Sequence, residues 1–307
     1  MENKHYIYGP ISSRRLGQSL GISPMLKKTC NYNCIYCQLG HTHLLTNRFN
    51  HFVDVAVILS ELESVLNQGI DYDVISIVGD GEPTLYDQLE MLIKGVKLRT
   101  DKPVALITNG ALLYDENVKK AALNCDIVLP SLDGYDTLSH LKICRPHKAL
   151  DFKKVYQGIV DFSQAYQGQL WLEMMLMDGI NDHDEALNKY QTLLSKIRYD
   201  KLYINVPLRP PSERYVKTPS NERLALFTKT LQATAIDVLA TPHYMSTVLD
   251  DYEALKSILR NHPLNQFEIK AFIEKRQGSL QTIQEQLRRD HDVECIMYKG
   301  YETYRVH

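Results

Sequence analysis

The feature that most restricts how this chain can fold is an alternation. Short apolar runs of strand length are separated by longer segments whose apolar residues recur every three or four positions. Runs at 20–24, 74–78, 104–108, 127–132, 170–176 and 202–206 predict six strands. Between them, Val55, Ile58, Leu62 and Val65, then Leu89, Leu92, Ile93 and Val96, then Phe152, Val155, Ile159 and Phe162, then Leu187, Tyr190, Leu194 and Ile197 predict helices. Strands that alternate with helices stack into a parallel sheet. Six such units are too few to close an eight-stranded barrel, so residues 1–240 predict an α/β fold, a partial (β/α)6 TIM-like barrel with one open side. That open side would admit a large substrate such as a loop of RNA or protein.

The texture then changes. A linker with a helix near 252–260 spans 241–260, and 261–307 reads as a small α+β domain. Helices near 266–275 and 280–290 precede strand-like runs at 293–298 and 303–306, joined through Lys299-Gly300-Tyr301-Glu302. Two helices followed by a hairpin give a winged-helix-like outline. Residues 260–307 carry eight Lys/Arg against seven Asp/Glu, so this domain is only weakly basic. Nucleic-acid binding and protein binding are equally compatible with it.

Composition narrows the function classes. With 307 residues, 44% of them hydrophobic, the chain can form a core without disulfides. A net charge of -2 excludes a whole-molecule pull on nucleic acid or anionic lipid, leaving only local patches. No signal-peptide pattern occupies the first ten residues and no apolar run approaches the ~18 residues that span a bilayer. The expectation is a cytoplasmic protein with no membrane partner.

Three of the six cysteines fall within eight positions, in Cys30-Asn31-Tyr32-Asn33-Cys34-Ile35-Tyr36-Cys37. In a chain of cytosolic type such clustering favours metal or redox chemistry over disulfides. Three thiolates on one loop can hold three irons of a cubane and leave the fourth iron open. Zinc is the alternative, with His41 or His43 completing four ligands. Cys125, Cys144 and Cys295 are expected to be isolated packed or semi-exposed thiols.

This CxxxCxxC run, with Tyr36 before its last cysteine, resembles the signature of the radical S-adenosylmethionine (SAM) superfamily. The resemblance extends over about 1–240. Gly79-Asp80-Gly81-Glu82-Pro83-Thr84-Leu85 resembles the superfamily's Gly-Gly-Glu motif, with Asp80 in place of the first glycine. The resemblance implies a 4Fe-4S cluster on Cys30, Cys34 and Cys37. It also implies a SAM site using Tyr36, Gly81 and Glu82, with ribose and adenine contacts from Asn109, Ser131, Asp133 and Asn181. By residue type alone, Asn109-Gly110 is equally a turn.

The segment Gly9-Pro10-Ile11-Ser12-Ser13-Arg14-Arg15-Leu16-Gly17 resembles a wyosine-synthetase-like branch, whose characterised enzymes rebuild a guanine of transfer RNA using pyruvate. This chain lacks the second cysteine triad of those enzymes. The resemblance implies radical hydrogen abstraction, an electron donor such as flavodoxin or ferredoxin, and transfer RNA as a substrate. Two other readings stay open: a radical SAM enzyme acting on a polypeptide or metabolite, and a non-catalytic iron-sulfur transcriptional regulator.

Arg14, Arg15 and Arg145 are candidate substrate contacts, able to clamp phosphate or carboxylate or to serve as ion-pair partners. An RNA substrate would require Arg14-Arg15, Lys27-Lys28 and Arg288-Arg289 to share one face with the barrel mouth.

Overall fold

The computed structural model describes residues 5–25, 28–236, 244–246 and 248–306. Strands β1 (Ile7–Ser13), β2 (Gly17–Ile22), β3 (Thr29–Cys30) and β4 (Leu44–Leu45) come first. There follow α1 (Val55–Leu66), β5 (Val74–Ile77), α2 (Leu89–Lys97), β6 (Val104–Thr108), α3 (Glu116–Ala122) and β7 (Ile127–Pro130). Next are α4 (Thr137–Ile143), α5 (Phe152–Ala165), β8 (Gln169–Met175), α6 (Asp184–Leu194), β9 (Lys201–Asn205), α7 (Asn221–Thr230) and β10 (Thr234–Ala235).

One eight-stranded sheet runs β1-β2-β5-β6-β7-β8-β9-β10. Every neighbouring pair from β2 onward is parallel, and β1 is antiparallel to β2. The six predicted strands are β2 and β5 to β9, side by side. The two edge strands carry weaker signals: β1 is interrupted by Gly9-Pro10 with a register shift between Tyr8 and Ile11, and β10 has two residues. Helices α3 and α4, seven residues each, also escape the periodicity argument; each starts on an aspartate cap, Asp115 or Asp136.

The sheet's two faces build two cores. Leu20, Ile75, Val104, Val128, Leu172 and Ile204 pack against the helices. Residues on the opposite face, Val74, Ala105, Leu129, Trp171 and Tyr203, close the barrel lumen together with Leu16. On the same inward face Ser19, level with Val74, and Ser76 above it have hydroxyls 2.6 Å apart, and Glu173 and Asn205 stand further along β8 and β9. The lumen thus has an apolar floor and a polar upper layer beneath the strand ends where such barrels bind ligands.

After the barrel come α8 (Asp251–Leu259), β11 (Leu264–Asn265), α9 (Gln266–Lys275), α10 (Leu280–Arg289), β12 (Val293–Tyr298) and β13 (Tyr301–Val306). The stretch leading in through Pro242 falls mostly outside the described residues. The hairpin turn is Lys299-Gly300, both left-handed, which extends the last strand back to Tyr301. Strand β11 pairs with β13, giving a three-stranded sheet ordered β11-β13-β12.

Helix α8 is more than a linker. Its Leu255, Ile258 and Leu259 share one core with Ile269, Phe272, Ile283 and Val306, and with Tyr8 and Ile11 of β1.

The barrel is partial, as expected, and the C-terminal unit packs against it. The C-terminal unit is bound to one edge of the sheet through Tyr8 and Ile11, and Ile11 bridges Tyr244. In the loop after β9, Arg209 grips Glu268 of α9 bidentately at 2.5 and 2.7 Å, and the Tyr298 hydroxyl donates to the Pro207 carbonyl at 2.8 Å.

Candidate active site at the carboxyl ends of the strands

The cysteine loop leaves β2 by way of β3 and meets the loop after β5 through backbone contacts. The Lys28 amide donates to the Asp80 carbonyl at 2.6 Å, and the Glu82 amide donates to the Thr29 carbonyl at 3.1 Å. Between them Gly81 lies so close to Thr29 that a β-carbon would stand 1.7 Å from the Thr29 carbonyl oxygen. Only glycine fits this crossing. Asp80 takes no left-handed conformation, so an aspartate in place of the superfamily's first glycine leaves the loop's shape intact.

Glu82 is 2% exposed and fixed by four donors. Its Oε1 accepts from the Thr84 amide at 3.0 Å, the Thr84 hydroxyl at 2.6 Å and the Thr108 hydroxyl at 2.6 Å, while Oε2 accepts from the Asn109 amide at 2.8 Å. Burial pushes its carboxyl pKa up and these donors oppose the shift. With a single protein donor, Oε2 keeps a lone pair for another partner.

Asn109, at the end of β6, turns back to the cysteines. Its Nδ2 donates to Asn31 Oδ1 at 2.7 Å and lies 3.8 Å from Cys30 Sγ. Asn31 is fully buried and was missed by the sequence argument, although it sits inside the motif; a polar residue buried between cysteines was the available signal.

Ser131 and Asp133 follow β7. Ser131 bridges Glu173, and the Asp133 carboxylate accepts from the Tyr36 hydroxyl and, at 2.7 Å, from the Met175 amide. Tyr36 thereby ties the cysteine loop to this strand end. Burial raises the Asp133 pKa to about 6, against the pull of those two donors.

Other candidates are placed differently. Asn181 is fully buried; its Oδ1 accepts from the Met177 amide at 2.8 Å, and its Nδ2 donates to the Met175 carbonyl at 2.8 Å and the Tyr190 hydroxyl at 3.0 Å. Both amide atoms thus hold its own loop. Arg14 and Arg15 occupy the turn between β1 and β2, at the end of β2 opposite the cysteines. Arg15 reaches into the lumen and pairs with Glu173, with its pKa lowered to about 10 by burial. Lys27 lies outside the described residues, Lys28 is buried and Arg288 and Arg289 are exposed on α10. Arg145 pairs with Glu213 and contacts the Tyr215 hydroxyl at 3.4 Å, the ion-pair alternative.

The three motif thiols are half-buried, and their environment disfavours bare thiolates. Burial lifts Cys30 well above the ordinary thiol range, with the Glu82 and Cys34 charges adding to it, and lifts Cys37 to about 11. Cys34 is lifted first by a hydrogen bond shared with Cys144 and then by burial. Three soft sulfur donors in a site that needs a cation to stabilise their ionised form fit an iron-sulfur cluster. Zinc requires its ligands on one ion. Among the described residues no three His, Cys, Asp or Glu side chains are placed to share one.

Residues 26–190 match the family model of the radical SAM superfamily. A UPF0026 protein of Methanocaldococcus jannaschii is 34% identical over 281 residues, covering 87% of this chain and 86% of that protein. A GTPase Obg of Brachyspira hyodysenteriae is 37% identical over 227 residues, covering 74% of this chain but only 33% of that protein. Among solved structures, TYW1 with a lysine-pyruvate adduct bound superposes with a TM-score of 0.54 at 19% identity, covering 70% of this chain and 72% of that one, a likeness of fold.

Proposed function

Because the chain belongs to the radical SAM superfamily, and to the UPF0026 proteins within it, we propose that this radical SAM enzyme carries a 4Fe-4S cluster on Cys30, Cys34 and Cys37 and acts on a base of transfer RNA. The observation that carries the chemistry is the backbone crossing of Gly81 and Thr29, which sets a buried carboxylate beside the cysteine triad. When bound, the cluster and SAM together supply a one-electron cleavage that yields a 5'-deoxyadenosyl radical for hydrogen abstraction.

The chain's own residues do the rest. Three thiolates leave one iron without a protein ligand. The open lone pair of Glu82 Oε2 suits the ammonium of a bound SAM, and Asn109 and Asp133 line the approach to the ribose side. The apolar lumen floor and the C-terminal wall exclude water and stray hydrogen donors from the mouth. A small reductant such as flavodoxin or ferredoxin would supply electrons. A non-catalytic regulator would need neither the Glu82 carboxylate nor Asn109 turned toward the triad.

For the substrate, two features support RNA. The segment 9–17 resembles the wyosine-synthetase-like branch. Near the mouth, exposed Tyr215 and Lys217 follow β9, and the Lys299 ammonium, 2.8 Å from the Thr218 hydroxyl, brings in exposed Tyr301 and Phe267. Aromatic faces beside cations suit unstacked bases and their phosphates. The C-terminal unit, read as a winged-helix-like module, contributes half of that rim. No helix among the described residues is long and apolar enough to cross a membrane, and a cytoplasmic setting belongs to this reading.

The test is reductive turnover by the reconstituted protein, with 5'-deoxyadenosine measured with and without bulk RNA. We expect formation of 5'-deoxyadenosine, stimulated by RNA in a salt-sensitive manner. Cleavage of SAM without any effect of RNA would move the substrate to a polypeptide or metabolite. A full cluster without SAM cleavage would sink the whole reading.

A further inference from the structure

We infer that the mouth carries a basic stripe for an RNA backbone, formed by exposed Lys142, Lys148, Lys153 and Lys154 around the loop between α4 and α5 and by exposed Arg214 and Lys217 in the loop after β9. The inference rests on the RNA reading and names the side chains that hold the phosphates, none of which belongs to the three basic pairs singled out in the sequence. Residues 142–154 and 211–217 carry seven Lys/Arg against two Asp/Glu, in a chain whose net charge is -2. The positive charge that the whole molecule lacks is concentrated here.

Backbone contacts fix the stripe to the cysteine motif. The His147 amide donates to the Asn31 carbonyl at 2.8 Å, the Asn33 amide donates to the Cys144 carbonyl at 2.9 Å, and Tyr32 bridges Pro146. The two segments of the stripe are joined to each other by the Arg145–Glu213 ion pair and by the contact of Arg145 with the Tyr215 hydroxyl at 3.4 Å. One segment follows the carboxyl end of β7 and the other that of β9, so their cations border the same opening as Glu82 and Asn109.

These cations are also available. Lys94 and Lys120 share Glu90, Lys189 pairs with Asp136 and Glu185, and Lys270 pairs with Glu274. Among the described residues no ion pair engages the six cations of the stripe, and the Lys154 ammonium lies instead 4.0 Å from the centroid of the Tyr114 ring. The nearby carboxylates are few. Glu213 is taken by Arg145, Asp151 caps α5 by accepting from the Lys154 amide at 3.1 Å, and Asp178 meets Lys217 through its own amide, which donates to the Lys217 carbonyl at 3.0 Å. Phosphate contacts of this kind set the position of an RNA while the pocket behind them selects the base. Tyr215, 53% exposed between Arg214 and Lys217, offers a ring on which a base can stack, which favours RNA over an acidic protein.

The experiment follows binding of bulk transfer RNA to the full chain by fluorescence anisotropy across a salt series. K148Q/K153Q/R214Q spans both segments, and K102Q/K196Q/K229Q makes an equal charge change at the amino ends of the strands. The first should lower the log-log salt slope by about 2 and weaken binding about 100-fold at ~100 mM salt, because each lost phosphate contact removes about 0.7–0.9 from the slope. The second should stay within about twofold, its sites being more than a Debye length from the mouth. K148Q alone should lower the slope by just under ~1 and serves if the triple variant does not fold. Equal losses in the two triple variants would reduce the effect to overall charge and overturn the inference, as would unchanged RNA affinity in a folded stripe variant. Loss of affinity for reduced flavodoxin with RNA binding intact would give the stripe to an acidic protein instead. An unsubstituted chain with no affinity for RNA would refute the RNA reading itself.

Discussion

The two halves of the barrel mouth use their polar side chains in opposite ways. In the half built by the loops after β2, β5 and β6, Asn31, Glu82 and Asn109 bond to one another and to Cys30, and Oε2 of Glu82 retains open capacity. In the half built after β8 and β9 and by the C-terminal unit, the polar groups are matched within the protein. Asn181 is bonded on both amide atoms, Arg145 pairs with Glu213 and Arg209 with Glu268. Breaking a largely buried ion pair from one side is strongly destabilising, so the Arg209–Glu268 pair holds shape. The first half leaves a carboxylate oxygen open beside the cysteines, and the second holds its shape by internal pairs while presenting exposed Tyr215, Lys217 and Tyr301 at its rim.

Four perturbations test this contrast. The largest effect belongs to the cysteines: Cys30→Ala, Cys34→Ala or Cys37→Ala should each lose the cluster in iron analysis, while Cys125→Ala keeps it. Full iron retention in all three would end the assignment of the first half. Next comes a matched pair. Glu82→Ala should weaken SAM binding about 100-fold, since losing one partner of a semi-buried charge pair costs a few kcal/mol. Asn181→Ala should leave SAM affinity within about threefold, yet lower stability by ~3 kcal/mol, because the Met177 amide and the Met175 carbonyl lose their partners. Calorimetric titration and thermal melts read the two effects separately, and equal losses of SAM affinity would erase the distinction between halves.

Arg209→Ala should cost about 2–4 kcal/mol of docking of the C-terminal unit. Faster amide exchange in α8 and α9, with iron content unchanged, is the expected signature; unchanged exchange would remove Arg209 from the wall. The smallest effect concerns Asp133, whose pKa of about 6 in the folded chain exceeds its unfolded value of ~3.9. Between about pH 4 and pH 6 the folded chain binds a proton that the unfolded chain has released. This group's contribution therefore lowers stability as pH rises through that window, by about 2 kcal/mol. Asp133→Asn should flatten that slope in melts at pH 4.5 and 6.5, and an unchanged slope would assign it to other groups.

How much of this was legible in the sequence depended on the range of the interaction. Strand β6 emerges with its bounds unchanged because Val104 to Thr108 is a continuous apolar run, a local property. Glu82 was recognisable from its motif. The wall was not, because it joins Tyr8 to Ile258 and Arg209 to Glu268, contacts that no local pattern encodes. Arg15 read equally as an anion clamp or an ion-pair partner, because Glu173, which decides between them, lies 158 residues away.

The crossing at Gly81 also sets an asymmetry in what the chain can tolerate over generations. The atom that a side chain at position 81 would strike is a backbone oxygen, which all twenty residue types carry. No replacement of Thr29 can therefore make room for Gly81→Ala, whereas position 29 can change without disturbing the crossing. Drift at the two sides of the contact is uncoupled. Position 29 is constrained only by what its own side chain packs against, and position 81 is constrained by geometry that no partner mutation can relieve.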